Sequence, residues 1–341
     1  MLYFYIMILV TGATGLVGSQ LLFDLIKTGK QVRALKRAGS SIKFVEAVFK
    51  REKQESLLDK IEWAEGDVLD VFSLTEAMKG IEQVYHCAGF VSFNTKDEGK
   101  MMQVNIEGTA NVVNAALEQK ITKLCHISSI ASLGRASGSE QMNEETHWIN
   151  SDANTAYAIS KYSGEREVWR GIAEGLDAVI VNPSVILGAG DWNKSSSKMF
   201  STVWKGLRFY TKGINGYVDV RDVSKAMILL MESEVKNERF ILSSENYSYK
   251  NMFAEIATQL GKTKPSILVK PWLSGIAWRF EYLRCKLTGA SSLITRETAR
   301  MASGQYLKKK KKIRKQTGIE FIPVSKSVEE VSRVFLSEKA A

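Results

Sequence analysis

Cysteine and histidine are scarce in this chain of 341 residues, with three of each. Cys87, Cys125 and Cys285 are an odd set without paired spacing, which excludes a disulfide framework and argues against a thiolate metal site. Cys87 and Cys125 fall in strand-like runs and read as buried free thiols. No histidine clusters with cysteine or carboxylates in the sequence, so no metal is expected. A secretory signal is missing as well. Met1-Leu2-Tyr3-Phe4-Tyr5-Ile6 is apolar, but it runs directly into a strand and is too short to span a bilayer. Because Met7 stands where that strand should begin, the residues before it read as an upstream-start extension. Internal repeats are not found, nor low-complexity tracts beyond one lysine run. The expected location is the cytoplasm.

An apolar content of 45% and a charged content of 25% are ordinary for a soluble globular protein, and the length gives room for an ample core. The net charge of +10 suggests nucleic acid until it is located. Most of it sits in one run, Lys308–Lys312 with Arg314 and Lys315. A single run without interleaved aromatics is not a basic face, and it reads as a solvated turn or helix end. Neither nucleic acid nor a membrane is therefore expected as a partner. Leu273–Leu287 carries Arg279, Glu281, Arg284 and Lys286 among its apolar residues, which favours pocket-lining core over an interfacial helix.

What the chain does have is a strand, a tight turn and a helix in immediate succession. Ile8-Leu9-Val10-Thr11 feeds Gly12-Ala13-Thr14-Gly15-Leu16-Val17-Gly18, and Ser19 to Ile26 is apolar at helical spacing. Gly12 can take backbone angles closed to other residues, Gly15 lets a phosphate approach the main chain, and Gly18 lets helix and strand pack closely. The helix N-terminus offers unpaired N–H groups to a pyrophosphate. This context marks a dinucleotide site.

Further strand-like runs follow at Gln31–Leu35, Ile61–Ala64, Gln83–Cys87, Lys123–Ile127 and Ala178–Val181. Helical patterns fill the gaps at Asp70–Lys79, Met101–Gln119 and Ala156–Glu174. Strands separated by helices imply parallel pairing through right-handed crossovers, hence an α/β fold with a doubly wound parallel (Rossmann) sheet. After Pro183 the rhythm changes. A smaller, interleaved C-terminal substrate domain is expected from residues 186–215 and 233–341. Residues 1–185 would form the nucleotide-binding domain, with a strand and helix at Gly216–Glu232 returning to its sheet. Phe240–Ser243 reads as a short strand and Tyr249–Leu260 as an amphipathic helix.

Tyr157 and Lys161 stand four apart in an apparent helix and share one face. A free tyrosine titrates near ~10, too high for a good base at neutral pH, and a neighbouring ammonium would bring it down. Ser128-Ser129 closes a strand, where a hydroxyl sits at the ligand-binding edge.

Together these features resemble the extended branch of the short-chain dehydrogenase/reductase superfamily, the NAD-dependent epimerase/dehydratase family. The resemblance covers nearly the whole chain. It rests on Gly12-x-x-Gly15-x-x-Gly18, Gly66-Asp67-Val68, His86-Cys87-Ala88-Gly89, Val104-Asn105-Ile106-Glu107-Gly108-Thr109, Ser128-Ser129, Tyr157-x-x-x-Lys161, Asn182-Pro183-Ser184 and Tyr217-Val218-Asp219-Val220-Arg221-Asp222-Val223. It implies that Asp67 and Val68 contact the adenine, while Ala88 and Gly89 line the cofactor. Ser129 would orient the substrate, ahead of Ser128. Tyr157 would be the general acid/base, with Lys161 binding the nicotinamide ribose and lowering the tyrosine pKa. Pro183 and Ser184 would shape the nicotinamide end. Asn105 would hold helix geometry near the site, and for it and Asp222 a structural role is at least as well supported as a direct one. Family members often carry an Asp-x-x-Lys segment near the C-terminus; Lys308–Lys312 leading into Lys315-Gln316-Thr317-Gly318-Ile319 departs from this. The oligomeric state is not read from the sequence, though the resemblance implies that the helices carrying Tyr157 and Met101–Gln119 could build a homodimer interface.

Cofactor preference follows from charge. An acidic residue after the second strand of dinucleotide folds holds the ribose 2′-hydroxyl and repels a 2′-phosphate. Here that segment is Val32-Arg33-Ala34-Leu35-Lys36-Arg37, without an acid and ending in two cations. NADP(H), with Arg37 as its main contact, is expected over NAD(H). Ser129 is followed by Ile130-Ala131, so the acidic pair of sugar-nucleotide dehydratases is missing. Gly213-Ile214-Asn215-Gly216-Tyr217 replaces the Arg-Asp-Phe segment usual in sugar-nucleotide epimerases. The Val-Arg-Ala-x-x-Arg and Ser-Ser-Ile segments, with the aromatic C-terminal region, look more like the dihydroflavonol 4-reductase and hydroxysteroid dehydrogenase group. The expected activity is NADPH-dependent reduction of a ketone or aldehyde on a fairly apolar small molecule. Its pocket walls would come from Val185–Lys212 and Pro271–Thr288. The alternatives are an NAD-dependent sugar-nucleotide epimerase and a non-catalytic NADP-binding sensor; the latter commonly lacks the tyrosine or lysine that this chain retains.

Overall fold

A computed structural model describes residues 6–134, 142–152, 154–269 and 311–340. Cys285, the aromatic segment of Pro271–Thr288 and Lys308–Lys310 lie outside the described residues. The chain begins with β1 (Met7–Thr11), α1 (Leu16–Lys27), β2 (Gln31–Lys36), α2 (Lys43–Arg51), β3 (Ile61–Glu65), α3 (Val71–Met78) and β4 (Gln83–His86). It continues through α4 (Glu98–Met102), α5 (Gly108–Glu118), β5 (Lys123–Ile127), α6 (Ala156–Ala173) and β6 (Ala178–Pro183). These elements match the sequence expectation closely.

The strands build a seven-stranded sheet in which every neighbouring pair is parallel. Helices cover both faces, so strand side chains are buried on alternate sides. Ile8 and Val10 join the core under α1 and α2, while Leu9 joins the core under α3, α5 and α6. All three are at most 1% exposed. Burying such a side chain contributes about 1.5–3 kcal/mol over leaving it in water, which explains the unbroken apolar run.

Capping sets several helix starts. Asp70 accepts from the Phe72 N–H at the head of α3, and Thr155 accepts from the Ala158 N–H at the head of α6. The buried Lys123 of β5 donates to the carbonyls of Leu230 and Ser233 at 2.7 and 2.6 Å. It thereby closes the C-terminal end of α8 (Val220–Met231) with a cation, where the helix dipole favours one.

The sequence reading places the strand within Gly216–Glu232 in the main sheet, and there the structure differs. That strand, β9 (Ile214–Asp219), lies between β7 (Val185–Leu187) and β11 (Glu245–Ser248) in a separate three-stranded sheet. It is α8 that returns, packing beside α1. The main sheet gains its seventh strand from β10 (Glu238–Leu242), parallel to β6, although the sequence reading assigns this stretch to the substrate-binding segment 233–341. The crossover explains the exchange. The strand that follows a covering helix enters the open sheet edge, and here that strand is β10, directly after α8.

A third core gathers Leu187, Phe200, Tyr217, Met252, Ile256, Val328 and Phe335 around the smaller sheet. The Tyr217–Val223 motif anchors it to the rest. Asp219 accepts from the Ser327 hydroxyl, and Asp222 accepts from the Ile322 N–H at 2.8 Å, so Asp222 is a structural anchor. The lysine run is only partly solvated among the described residues. Lys312 donates to the Arg239 carbonyl at 3.0 Å, pairs with Glu238 and lies over the Phe240 ring.

Candidate active site

Parallel strands carry their C-terminal ends to one edge, and the sequence-derived site residues follow those ends in turn. Gly12 follows β1, Arg37 follows β2, Asp67 follows β3, Ala88 and Gly89 follow β4, and Ser129 follows β5. Pro183 ends β6 and Ser184 follows it. In such sheets ligands bind at this edge.

At the glycine turn, Gly12 has φ +65°, and a Cβ there would lie 2.5 Å from the Ala88 backbone nitrogen. The turns after β1 and β4 therefore meet backbone to backbone. A Cβ on Gly18 would fall 2.2 Å from the Gly12 carbonyl oxygen, and one on Gly15 3.3 Å from the same atom. Gly15 caps α1 without a side-chain hydrogen bond, leaving the first N–H groups of a twelve-residue helix for a ligand. Leu16 turns its side chain toward Gly188 and Gly190, and Val17 is core. Both can offer a ligand only main-chain groups from the first helical turn. Thr14, half-buried, lies within the turn itself.

A hydrogen-bonded chain stiffens this edge. The Thr11 hydroxyl lies 2.7 Å from His86 Nδ1, and His86 Nε2 lies 3.1 Å from the Thr109 hydroxyl. Asn105 sits in a π-helical turn, Gln103–Glu107, and brackets Phe90 by accepting from its N–H and donating to its carbonyl. Its amide also donates to Ser160 Oγ, whose hydroxyl donates to the Tyr157 carbonyl. A π-turn of this kind often marks a functional site. It is accommodated because Gly164 faces it: a Cβ there would lie 2.2 Å from the Asn105 carbonyl oxygen.

Tyr157 and Lys161 project from the first turns of α6. Lys161, 8% exposed, donates through Nζ to the Ile127 carbonyl at 3.0 Å. A Cβ at Gly89 would lie 3.7 Å from that Nζ, which brings the turn after β4 against the lysine. Burial pulls the lysine pKa down to about 8, against the opposing influence of Glu165 and then Cys87. Tyr157 lies near Ser129 and stands edge-on to Phe93, ring centroids 5.6 Å apart. Burial raises the tyrosine pKa, and the neighbouring Ser129 hydroxyl counters it.

Ser128 and Ser129 part company. Ser129 faces Tyr157, whereas the Ser128 hydroxyl donates to the buried carboxylate of Glu165 at 2.6 Å. That carboxylate also receives Ser132, the Asn182 amide, the Trp169 indole and Arg239. Sequence reasoning missed Glu165. The available signal was its position, one helical turn beyond Lys161 on the same face.

Farther along the edge, Arg37 is exposed, while Arg33 is bound to Glu62 and to the carbonyls of Ala77 and Lys79. Of the two arginines, Arg37 is the one presented to a ligand. Asp67 accepts from the Leu69 N–H in its own turn, and Val68 packs at the position of a Cβ on Gly108. Cys87 and Cys125 are free thiols, and burial pushes Cys87 up to about 12. No group of ligands able to hold a metal ion occurs among the described residues.

The model of the NAD dependent epimerase/dehydratase family matches residues 8–242. The chain belongs to this family. Among its relatives, sterol demethylase protein B of Methylococcus capsulatus is 29% identical over 274 residues, 79% of either chain. A dihydroflavonol 4-reductase-like protein of Synechocystis sp. is 30% identical over 304 residues, covering 86% of this chain and 84% of its own. A UDP-glucose 4-epimerase from Thermotoga maritima superposes with TM-score 0.78 over 98% of this chain and 99% of its own. At 16% identity it shows the shared fold alone.

Membership makes this chain an NAD(P)-dependent enzyme, and its residues fit the nucleotide. The cradle between Gly12, Gly15 and the uncapped helix start is one that side chains would fill. After β6, Ser184 Oγ is buried without a hydrogen-bond partner, a polar group that a bound nucleotide would satisfy. No helix among the described residues is long and apolar enough to cross a membrane.

Proposed function

We propose that this member of the family is an NADPH-dependent carbonyl reductase acting on a ketone or aldehyde of a fairly apolar small molecule. The observation that carries this reading is Lys161 Nζ held on the Ile127 carbonyl at 3.0 Å, which sets Tyr157, one turn before it on α6, near Ser129 at the end of β5. Burial keeps Tyr157 in its phenol form at neutral pH, the form a reductase needs. The bound nucleotide would supply the hydride. Ser129 then orients the carbonyl oxygen, Tyr157 donates its hydroxyl proton to that oxygen, and Lys161 stabilises the phenolate left behind. Pro183 and Ser184 hold the nicotinamide end, while Ala88 and Gly89 line the cofactor and Asp67 with Val68 borders the adenine.

Phe93 against Tyr157, with half-buried Phe90 and Val185 nearby in the chain order of the site edge, supports an apolar substrate. Relatives named for a sterol and a dihydroflavonol favour the same class. The choice of NADPH rests on Arg37, exposed where NAD-binding relatives of this fold carry an acid. A charge-assisted contact to a 2′-phosphate is worth roughly 1.5–3 kcal/mol, about one to two decades of affinity.

Side-by-side fluorescence titration with NADPH and NADH tests the proposal. Preference for NADPH by about tenfold or more supports it. Preference for NADH with a tightly retained nucleotide would overturn it in favour of sugar-nucleotide epimerisation. Tight NADPH binding without turnover on any carbonyl would point to a sensor.

A further inference from the structure

The buried carboxylate of Glu165 has no part in the proton and hydride steps, yet more of the site converges on it than on any residue assigned above. It is 2% exposed. Its Oε2 receives the hydroxyls of Ser128 and Ser132 at 2.6 Å each and the Asn182 amide at 2.7 Å. Its Oε1 receives the Trp169 indole and Arg239 Nη1, both at 3.3 Å. Asn182, Trp169 and Arg239 each reach it through an N–H group.

These partners come from separate parts of the chain. Ser128 adjoins the substrate-orienting Ser129, Ser132 lies in the turn after it, Asn182 is in β6 and Arg239 is in β10. Arg239 also donates to the carbonyls of Glu144 and Thr146, and Glu144 accepts from the Ile241 N–H. Glu144 and Thr146, before α6, are thereby clasped to the sheet edge. Lys161, one turn before Glu165 on α6, is tied to the same β5 end through the Ile127 carbonyl.

We propose that Glu165 is a positioning residue of this site, locking the Ser128–Ser129 turn, β6 and β10 around Lys161 and holding a negative charge one helical turn from its ammonium. The proposal rests on the reading of Tyr157 and Lys161 as the reacting pair. Among the described residues, the titratable groups around Lys161 are Tyr157 and Glu165 on α6, His86 and Cys87 at the end of β4, and His126 on β5. Arg239, from β10, faces Glu165. Burial draws Lys161 down, Glu165 opposes it most, Cys87 opposes it less, and buried His86 and His126 are neutral at physiological pH. Removing the Glu165 charge leaves burial almost unopposed. Removing Arg239 exposes Lys161 to the full carboxylate. The two changes have opposite signs, which loosening of the structure would not produce.

The test is competitive labelling of Lys161 with acetic anhydride in the full-length protein across a pH series, read by peptide mass spectrometry. Glu165→Gln is expected to lower the Lys161 midpoint by about one pH unit, and Arg239→Gln to raise it by about half a unit. A midpoint in Glu165→Gln that is unchanged or raised would overturn the proposal. If Glu165→Gln does not fold, Arg239→Gln decides alone: a raised midpoint supports the proposal, and an unchanged or lowered one overturns it. Labelling needs no substrate, so its outcome is separate from the catalytic reading, which stands or falls on the turnover of Lys161→Met.

Discussion

Lys161 is bonded through Nζ to the backbone carbonyl of Ile127, 3.0 Å away, so α6 and the end of β5 form one rigid corner. Tyr157 and Ser129 meet at that corner. Tyr157, Ser129 and Lys161 are therefore placed by the scaffold, with little left for a ligand to organise.

Removing only the proton donor should separate binding from chemistry. Tyr157→Phe keeps the ring that packs against Phe93 and deletes the hydroxyl. Turnover should fall by roughly two to four decades, the contribution of a positioned general acid, while the affinity for NADPH stays within about threefold. Steady-state kinetics beside a binding titration reads both quantities.

At the other end of the nucleotide, Arg37→Ala should reduce NADPH affinity by about one to two decades and leave NADH nearly unchanged. Equal losses for the two nucleotides would mean that Arg37 acts on the loop and not on a 2′-phosphate. Arg33→Ala makes a useful contrast. Its guanidinium is committed to Glu62 and two carbonyls, so its loss should lower thermal stability without changing nucleotide preference.

The glycine cradle allows no Cβ at Gly18, which would meet the Gly12 carbonyl oxygen at 2.2 Å. Gly18→Ala should push α1 away from β1 and weaken NADPH and NADH together, by roughly tenfold or more. A selective loss of one nucleotide would contradict this placement.

Acid stability should report the two buried imidazoles. His86, lowered to about 3, and His126, also lowered, lie 5.0 Å apart and are held neutral by burial. Their folded pKa values lie below the unfolded value near ~6.5, so below that pH the unfolded chain binds more protons. Their contribution is complete above pH ~6.5 and is lost as the pH falls toward the folded values, by about 1.4 kcal/mol per pH unit for each ring. His126 has no hydrogen-bond partner on either nitrogen, so His126→Phe should reduce the slope between pH 6 and 5 by about 1.4 kcal/mol per pH unit. Urea unfolding at the two pH values gives the comparison.

Local chemistry made much of this legible in the sequence. The β1–turn–α1 unit is written in contiguous residues, and Tyr157 and Lys161 lie one helical turn apart, where spacing alone places them together. Two features were hidden for related reasons. The partners of Glu165 are scattered from Ser128 to Arg239, and no periodicity links residues brought together only by sheet order. Likewise β9 and β10 are short apolar runs of similar pattern, and which of them fills the edge beside β6 depends on the path of α8. Spacing reveals proximity but not burial, and burial is the largest influence on both Tyr157 and Lys161.

A homodimer through α6, which the resemblance allows, has a definite surface to test. The outward face of α6 bears exposed Ile159 beside Tyr162, which stacks on Trp148 at 4.3 Å. Sedimentation of the wild-type protein at micromolar concentration should show a dimer, and Ile159→Arg should show a monomer that still binds NADPH.

The measurement that tests the account most directly is nucleotide oxidation by the purified protein against a panel of apolar ketones and aldehydes, with NADPH and NADH in parallel and Tyr157→Phe as control. The account predicts turnover of at least one carbonyl with NADPH preferred, and its loss in Tyr157→Phe. Turnover that survives in Tyr157→Phe, or activity confined to nucleotide sugars with a retained NAD, would contradict it.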